Sequence, residues 1–200
     1  FSCEFGLIFC KYFFCGNFTE NETKATFRRS MEKTAFFGGI RMKLYIKQRL
    51  FSWTDSFDIY DENMDKKYTA KADFLTIGHR IRVFDRFGGE IGYIQEKLLR
   101  IFAEFDVHIG GRYLGRIKRK ITFFISKYDI DYNGWSIEGD FFGWNYRVRQ
   151  PNGLVAANIT RELFHLTDTY AIEIFDDSDE INVLMLVLAI DAANCSKNNS

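Results

Sequence analysis

The 200-residue chain sets 27 Lys and Arg against 27 Asp and Glu, with 46% hydrophobic and 18% aromatic residues. A formal charge of zero lacks the net basic balance of a general nucleic-acid binder, and this much Phe and Tyr excludes intrinsic disorder. One proline and 15 glycines exclude a collagenous or proline-rich chain, and no apolar run approaches the roughly 20 residues that span a bilayer.

The first forty residues differ from the rest. Nine of the 22 Phe and three of the four Cys (Cys3, Cys10, Cys15) precede Met42. Cys3–Cys15 has the apolarity of a secretory signal, but Lys11 interrupts it and neither a basic flank nor a small-residue cleavage site accompanies it. Gly38-Gly39 requires two GGN codons, which accommodate a ribosome-binding sequence, with Ile40 and Arg41 as spacer before Met42. The expectation is that 1–41 are a non-native or disordered extension of a bacterial protein starting at Met42. One domain then covers 42–193, and 194–200 form a disordered tail. From Met42 onward 21 basic residues face 23 acidic ones, and Cys195 is the single thiol. No disulfide framework is expected, and the expected compartment is the reducing cytoplasm. The glycosylation-type triplets at Asn17, Asn21, Asn158 and Asn198 carry no weight there.

Taken in chain order, period-two alternation dominates. Phe57 and Ile59 alternate with Ser56 and Asp58, and Ile81 and Val83 alternate with Arg80 and Arg82. Ile117, Arg119, Ile121 and Phe123 oppose Arg116, Lys118, Lys120 and Thr122, and Tyr146 and Val148 alternate with Arg147 and Arg149. Each is the pattern of a half-buried strand. Turn residues fall between these runs: Asp61-Glu62-Asn63, Gly88-Gly89, Gly110-Gly111, Asn133-Gly134 and Pro151-Asn152-Gly153. A weak repeat of strand, glycine turn and return strand predicts a meander of hairpins. Ile94–Phe105 fits strands, but residues 94, 98, 101, 102 and 105 also fit one face of a helix.

The C-terminal segment departs from this pattern. Ile181 and Val183–Ile190 are apolar with no polar face, and Asp176, Asp177, Asp179 and Glu180 precede them. Acids suit the positive end of a helix dipole, and Asp177 and Glu180 have the spacing of a capping box. A helix that is apolar all round must be buried all round, and in a β chain of this size the host is a barrel closed around it.

Several strings together resemble the LURP-one-related (YxjI-like) family, a branch of the tubby C-terminal-like fold shared with phospholipid scramblases. They are Tyr45-Ile46-Lys47-Gln48-Arg49-Leu50-Phe51-Ser52, Ile94-Gln95-Glu96-Lys97-Leu98, Trp135-Ser136-Ile137-Glu138-Gly139-Asp140-Phe141, and Asp168-Thr169-Tyr170 followed by Leu184–Asp191. The resemblance covers Met42 to about Asp191. It implies a mainly β fold, a closed antiparallel barrel of about twelve strands enclosing a hydrophobic C-terminal helix, and it favours strands for Ile94–Phe105. The family is not tied to an established reaction.

The candidate sites are few. Arg116, Lys118 and Lys120, with Arg147 and Arg149 as second choice, form outward basic rows. With Arg80 and Arg82 they would line one positive wall if their strands are neighbours. Arginine forks match phosphate oxygens, and tubby-like relatives are associated with phosphoinositides, so an anionic phospholipid head group is the expected ligand. Asp129, Asp131, Asn133 and Asp140 have part of the spacing of a calcium loop, but Asn133-Gly134 is also a two-residue hairpin turn and the flanks read as strands. Asp176, Asp177, Asp179 and Glu180 are weak metal candidates, placed like an acidic segment of scramblases. His79, His108 and His165 are scattered, and no phosphate loop, nucleophile elbow or dinucleotide fingerprint occurs. Trp53, Trp135 and Trp144 read as core or rim aromatics. The expectation is a non-catalytic binding or scaffold protein with no cofactor, peripheral to the membrane. The alternative is a protein–protein interaction module in a stress or defence response, and the third is an unrecognised hydrolase.

Overall fold

The structure, a computed structural model, describes residues 42–47, 56–73, 78–98, 100, 102–122, 125–140, 145–164 and 167–195. The 1–41 extension, the rest of the 45–52 motif, Trp53, Trp144, His165 and the tail from 196 lie outside them.

Among the described residues twelve strands precede one helix. They are β1 (Met42–Lys47), β2 (Ser56–Tyr60), β3 (Lys66–Asp73), β4 (Arg80–Asp85), β5 (Glu90–Glu96), β6 (Glu104–Ile109), β7 (Arg112–Thr122), β8 (Ile125–Tyr132), β9 (Ser136–Asp140), β10 (Asn145–Arg149), β11 (Val155–Phe164) and β12 (Thr167–Ile174). A short 3-10 turn (Asp177–Asp179) leads into α1 (Glu180–Cys195). All strands form one sheet in the order β8-β7-β6-β5-β4-β3-β2-β1-β12-β11-β10-β9. Every neighbouring pair is antiparallel. Of the segment 94–105, Ile94 lies on β5, which ends at Glu96, and Phe105 on β6, which begins at Glu104, both buried. The described residues between the two strands are neither strand nor helix.

The alternation seen in the sequence selects the face. Leu44, Ile59, Ile81, Val83, Ile94, Phe105, Val107, Ile117, Val148, Ile159 and Ile172 point inward and are buried, together with Val183–Ile190 of α1. Burial of each large side chain is worth about 1.5–3 kcal/mol, and the helix has no polar face to offer water. It packs most closely against β5, β6 and β7. Tyr132, Trp135 and Tyr146 add large aromatic rings to the same core. β7 carries an extra residue at Leu114, where the register with β6 shifts between Val107 and His108. The adjoining Gly115 sits at φ +147°, and a Cβ there would lie 2.0 Å from the Asp131 carbonyl oxygen. Only glycine allows that approach of β7 to β8.

The helix ends are served by the barrel wall. At the start, Asp176 is the cap, accepting from the Ser178 N–H at 2.9 Å and the Ser178 hydroxyl at 2.7 Å. These bonds hold its pKa below the usual carboxylate range. The expected capping box of Asp177 and Glu180 does not form. Glu180 turns instead to β3, accepting from the Tyr68 hydroxyl at 2.8 Å and pairing with Lys67 at 2.6 Å. At the far end α1 has no basic residue in its last turn. Arg119, on the inward row of β7, is 4% exposed and donates to the Ala193 carbonyl at 3.3 Å.

Closure is incomplete at one place. β8 and β9 are the two ends of the sheet order, although a two-residue turn joins them. Asn133 and Gly134 have φ of 53° and 63°, and the Trp135 N–H donates to the Tyr132 carbonyl at 3.1 Å. The expected hairpin turn is present, but among the described residues its two arms do not ladder. A ladder continued from this turn would set Asp129 directly opposite Glu138, and like charges in that position are destabilising.

Candidate functional site

The outer wall carries the candidate cations, and the sheet order decides which of them meet. β7 and β10 are separated by β8, the open seam and β9, while β5 and β6 lie between β4 and β7. Arg116, Lys118 and Lys120 therefore form one row, Arg147 and Arg149 a second, and Arg80 and Arg82 a third. The single positive wall does not assemble, because its strands are not neighbours.

Each row is also matched by carboxylates. Glu104 of β6 is nearly fully buried beneath Arg116 at 3.4 Å, Lys118 at 3.8 Å and Lys97 at 3.8 Å. Lys120 pairs with Asp129 at 2.7 Å, Arg149 with Glu138 at 2.7 Å, and Arg82 with Asp73 at 2.7 Å. The Arg116 guanidinium also donates to the Tyr113 hydroxyl at 3.4 Å, and that contact with the carboxylates nearby holds its pKa above the usual value.

Two clefts open on this wall. One, of about 440 Å³, is lined by Arg116, Lys118, Asp129, Ile130 and Asp131 between β7 and β8. The other, of about 300 Å³, lies over β10, β11, β12 and β1, where Lys43, Arg147, Asn158 and Glu173 supply its charged and polar lining. Neither contains histidine or cysteine. The first brings together two of the three leading cations with two carboxylates, so it can hold a phosphate and an ammonium side by side.

The metal candidates disperse. Asp129 and Asp131 lie on the outward row of β8, and Asp140 ends β9. Strands flank the Asn133-Gly134 turn on both sides, so the helix–loop–helix frame of a calcium loop is absent there. Asp176 is a cap, Asp179 accepts from Gln150 at 2.8 Å, and Glu180 is held by Tyr68 and Lys67. Among the described residues no three His, Cys, Asp or Glu side chains converge as a metal site. His79 pairs with Glu96. His108 alternates with buried Val107, stacking on Tyr93 at 4.5 Å with Tyr113 edge-on at 5.5 Å. Trp135 belongs to the core. Among the described residues no helix is long and apolar enough to cross a membrane.

Sequence reasoning passed over two features, both with a signal present. Arg119 stood among Ile117 and Ile121 on an apolar row, which already implied a buried cation. The opposition of Asp129 and Glu138 follows from counting outward from the Asn133-Gly134 turn.

Comparison with known proteins gives a consistent picture. The family model described as LURP-one-related matches residues 42–191. The uncharacterized protein YxjI of Bacillus subtilis (strain 168) is 23% identical over 150 residues, covering 75% of this chain and 92% of its own. The X-ray structure of an Arabidopsis thaliana protein superposes with a TM-score of 0.58 at 16% identity, covering 77% of this chain and 91% of that one. At that identity the likeness is one of fold.

Proposed function

The chain belongs to the LURP-one-related family, and on that premise we propose that it is a non-catalytic binding protein that holds a phospholipid head group at the cytoplasmic face of a membrane. The observation that carries this reading is the β7–β8 cleft, with Arg116 and Lys118 beside Asp129 and Asp131. The two cations take the phosphate oxygens. The two carboxylates favour a head group that also bears an amine over a purely anionic one. Support for a non-catalytic role comes from the interior, which α1 fills with side chains such as Leu184, Leu186 and Leu188. Arg147 and Arg149, on the far side of the seam, are a second contact region on this reading.

The test is co-sedimentation of the full chain with phosphatidylcholine vesicles containing phosphatidylserine, phosphatidylethanolamine or phosphatidylglycerol, at low and high salt. Binding to the amine-bearing lipids that weakens steeply as screening rises is the expected result. Neutral replacements Arg116→Gln and Lys118→Gln are the suitable variants, because glutamates there would add carboxylates beside buried Glu104. They should weaken binding about tenfold. Absence of binding to every lipid, or unchanged binding by the double variant, overturns the reading.

A further inference from the structure

We propose that the open seam between β8 and β9 is a docking site for an extended, basic segment of another protein, added as a strand to the edge of β8. The reading does not rest on the lipid proposal, although Asp129, Ile130 and Asp131 belong to both surfaces.

Three observations meet at the seam. The first is backbone chemistry. Among the described residues β8 and β9 are the two edges of the sheet, and a sheet edge offers backbone N–H and C=O groups to an extended chain that can reach it. The second is charge. The outward positions of the two rims hold four acids, Asp129 and Asp131 on β8 and Glu138 and Asp140 on β9, with Lys127 farther from the turn on the β8 row and Ser136 on the β9 row. The other cations stand one strand further back, Arg116, Lys118 and Lys120 on β7 and Arg147 and Arg149 on β10, where Lys120 pairs with Asp129 and Arg149 with Glu138. From Asp129 to the Asn133-Gly134 turn, charge thus runs basic, acidic, seam, acidic, basic across the wall. The same carboxylates that oppose direct β8–β9 pairing select a partner with lysine or arginine at alternate positions. The third is apolar lining. Ile130 and Ile137 point inward and pack against the core but are only partly buried, and four of the five β9 residues are exposed. A strand lying here would turn its remaining side chains toward those two isoleucines.

The occupant is therefore an extended segment alternating basic and β-branched apolar residues. A second copy of this chain is disfavoured by the same logic, because its seam would bring the same four carboxylates.

The test uses the full chain and fluorescein-labelled octapeptides, read by fluorescence anisotropy. An alternating Arg–Val peptide should bind, and a Glu–Val peptide of the same pattern should not. N-methylation of alternate peptide amides, made in each of the two registers, should abolish binding in one register and spare it in the other, since only one set of N–H groups faces the edge. Asp131→Arg with Glu138→Arg should reverse the charge preference, weakening Arg–Val binding about tenfold or more. Should the double variant melt early, Asp131→Asn and the N-methyl pair on the unaltered chain carry the same decision. Binding indifferent to both N-methyl sets would mean charge attraction without strand pairing and overturns the proposal. So does a failure of the Arg–Val peptide to bind, which would leave the acids as edge protection only. A dimer in solution that the seam variant converts to monomer also overturns it, assigning the seam to a second copy.

Discussion

The Arg119 guanidinium, inside the barrel on β7, donates to the carbonyl oxygen of Ala193 in the last turn of α1. A helix C-terminus carries partial negative charge and unsatisfied carbonyls, and α1 supplies no cation of its own there. The wall provides it instead, so strand β7 and the end of the helix are fixed to each other electrostatically as well as by packing. Arg119→Met keeps the stem in the core and deletes the charge. Urea unfolding should show a loss of about 1–2 kcal/mol. A variant as stable as the parent would mean that the contact contributes nothing.

The burial of α1 gives the largest expected effect. Leu186 is 0% exposed in the middle of the helix. Leu186→Ala leaves a cavity and should cost about 2–5 kcal/mol. Leu186→Asp puts an uncompensated charge into the core and should abolish cooperative folding. A soluble Leu186→Asp protein with a normal melting transition would show that the helix is not enclosed.

Alkaline pH should unfold the protein through its buried tyrosines. Burial is the main cause that raises the hydroxyl pKa of Tyr68, Tyr132 and Tyr146 above the ordinary value. Glu180 beside Tyr68, Asp179 near Tyr132 and Asp191 near Tyr146 act in the same direction. Below the unfolded value of about 10 both states keep these protons and stability is intact. Above it the unfolded chain releases protons that the folded chain retains, so stability falls by about 1.4 kcal/mol per pH unit for each tyrosine. Denaturation followed between pH 9 and 12 should show this slope, and Tyr146→Phe should make it shallower. A slope unchanged in Tyr146→Phe would remove that residue from the account.

The close approach at Gly115 gives a local prediction. A methyl group there would lie 2.0 Å from the Asp131 carbonyl oxygen in a backbone conformation that L-residues avoid. Gly115→Ala should destabilise by roughly 2–4 kcal/mol and loosen β8, with faster amide exchange at Ile130 and Tyr132. Unchanged exchange along β8 would mean that β7 shifts to accommodate the methyl.

Period-two alternation made the strands and their inner faces legible, because one face of each must be apolar whatever its neighbours. The buried helix was legible for the same reason, having no polar side. What alternation does not encode is which strands lie side by side. The rows led by Arg82, Arg116 and Arg147 were each read correctly as outward, yet the strands between them depend on the order of the whole sheet. The seam needed two facts at once, the turn register and the sign of residues nine positions apart, Asp129 and Glu138. The helix cap is a third case: Asp177 and Glu180 have capping-box spacing, but Tyr68 and Lys67, more than a hundred residues away, outcompete it for Glu180.

Glu104 ties stability to the proposed lipid site and lets the two be separated. Its carboxylate is buried under Lys97, Arg116 and Lys118, so it stabilises the fold while holding two cations of the β7–β8 cleft. Glu104→Gln keeps the shape and removes the charge. Stability should drop by about 1 kcal/mol, since the partners are partly exposed and screened. Lipid binding should move the other way, because Arg116 and Lys118 lose a competing anion and the potential at the cleft becomes more positive. Vesicle co-sedimentation and urea unfolding of the same Glu104→Gln preparation therefore give opposite signs if the cleft binds phosphate. A variant that loses stability and binding together would mean that Glu104 acts only as a structural anion and that the cleft is not where the head group sits.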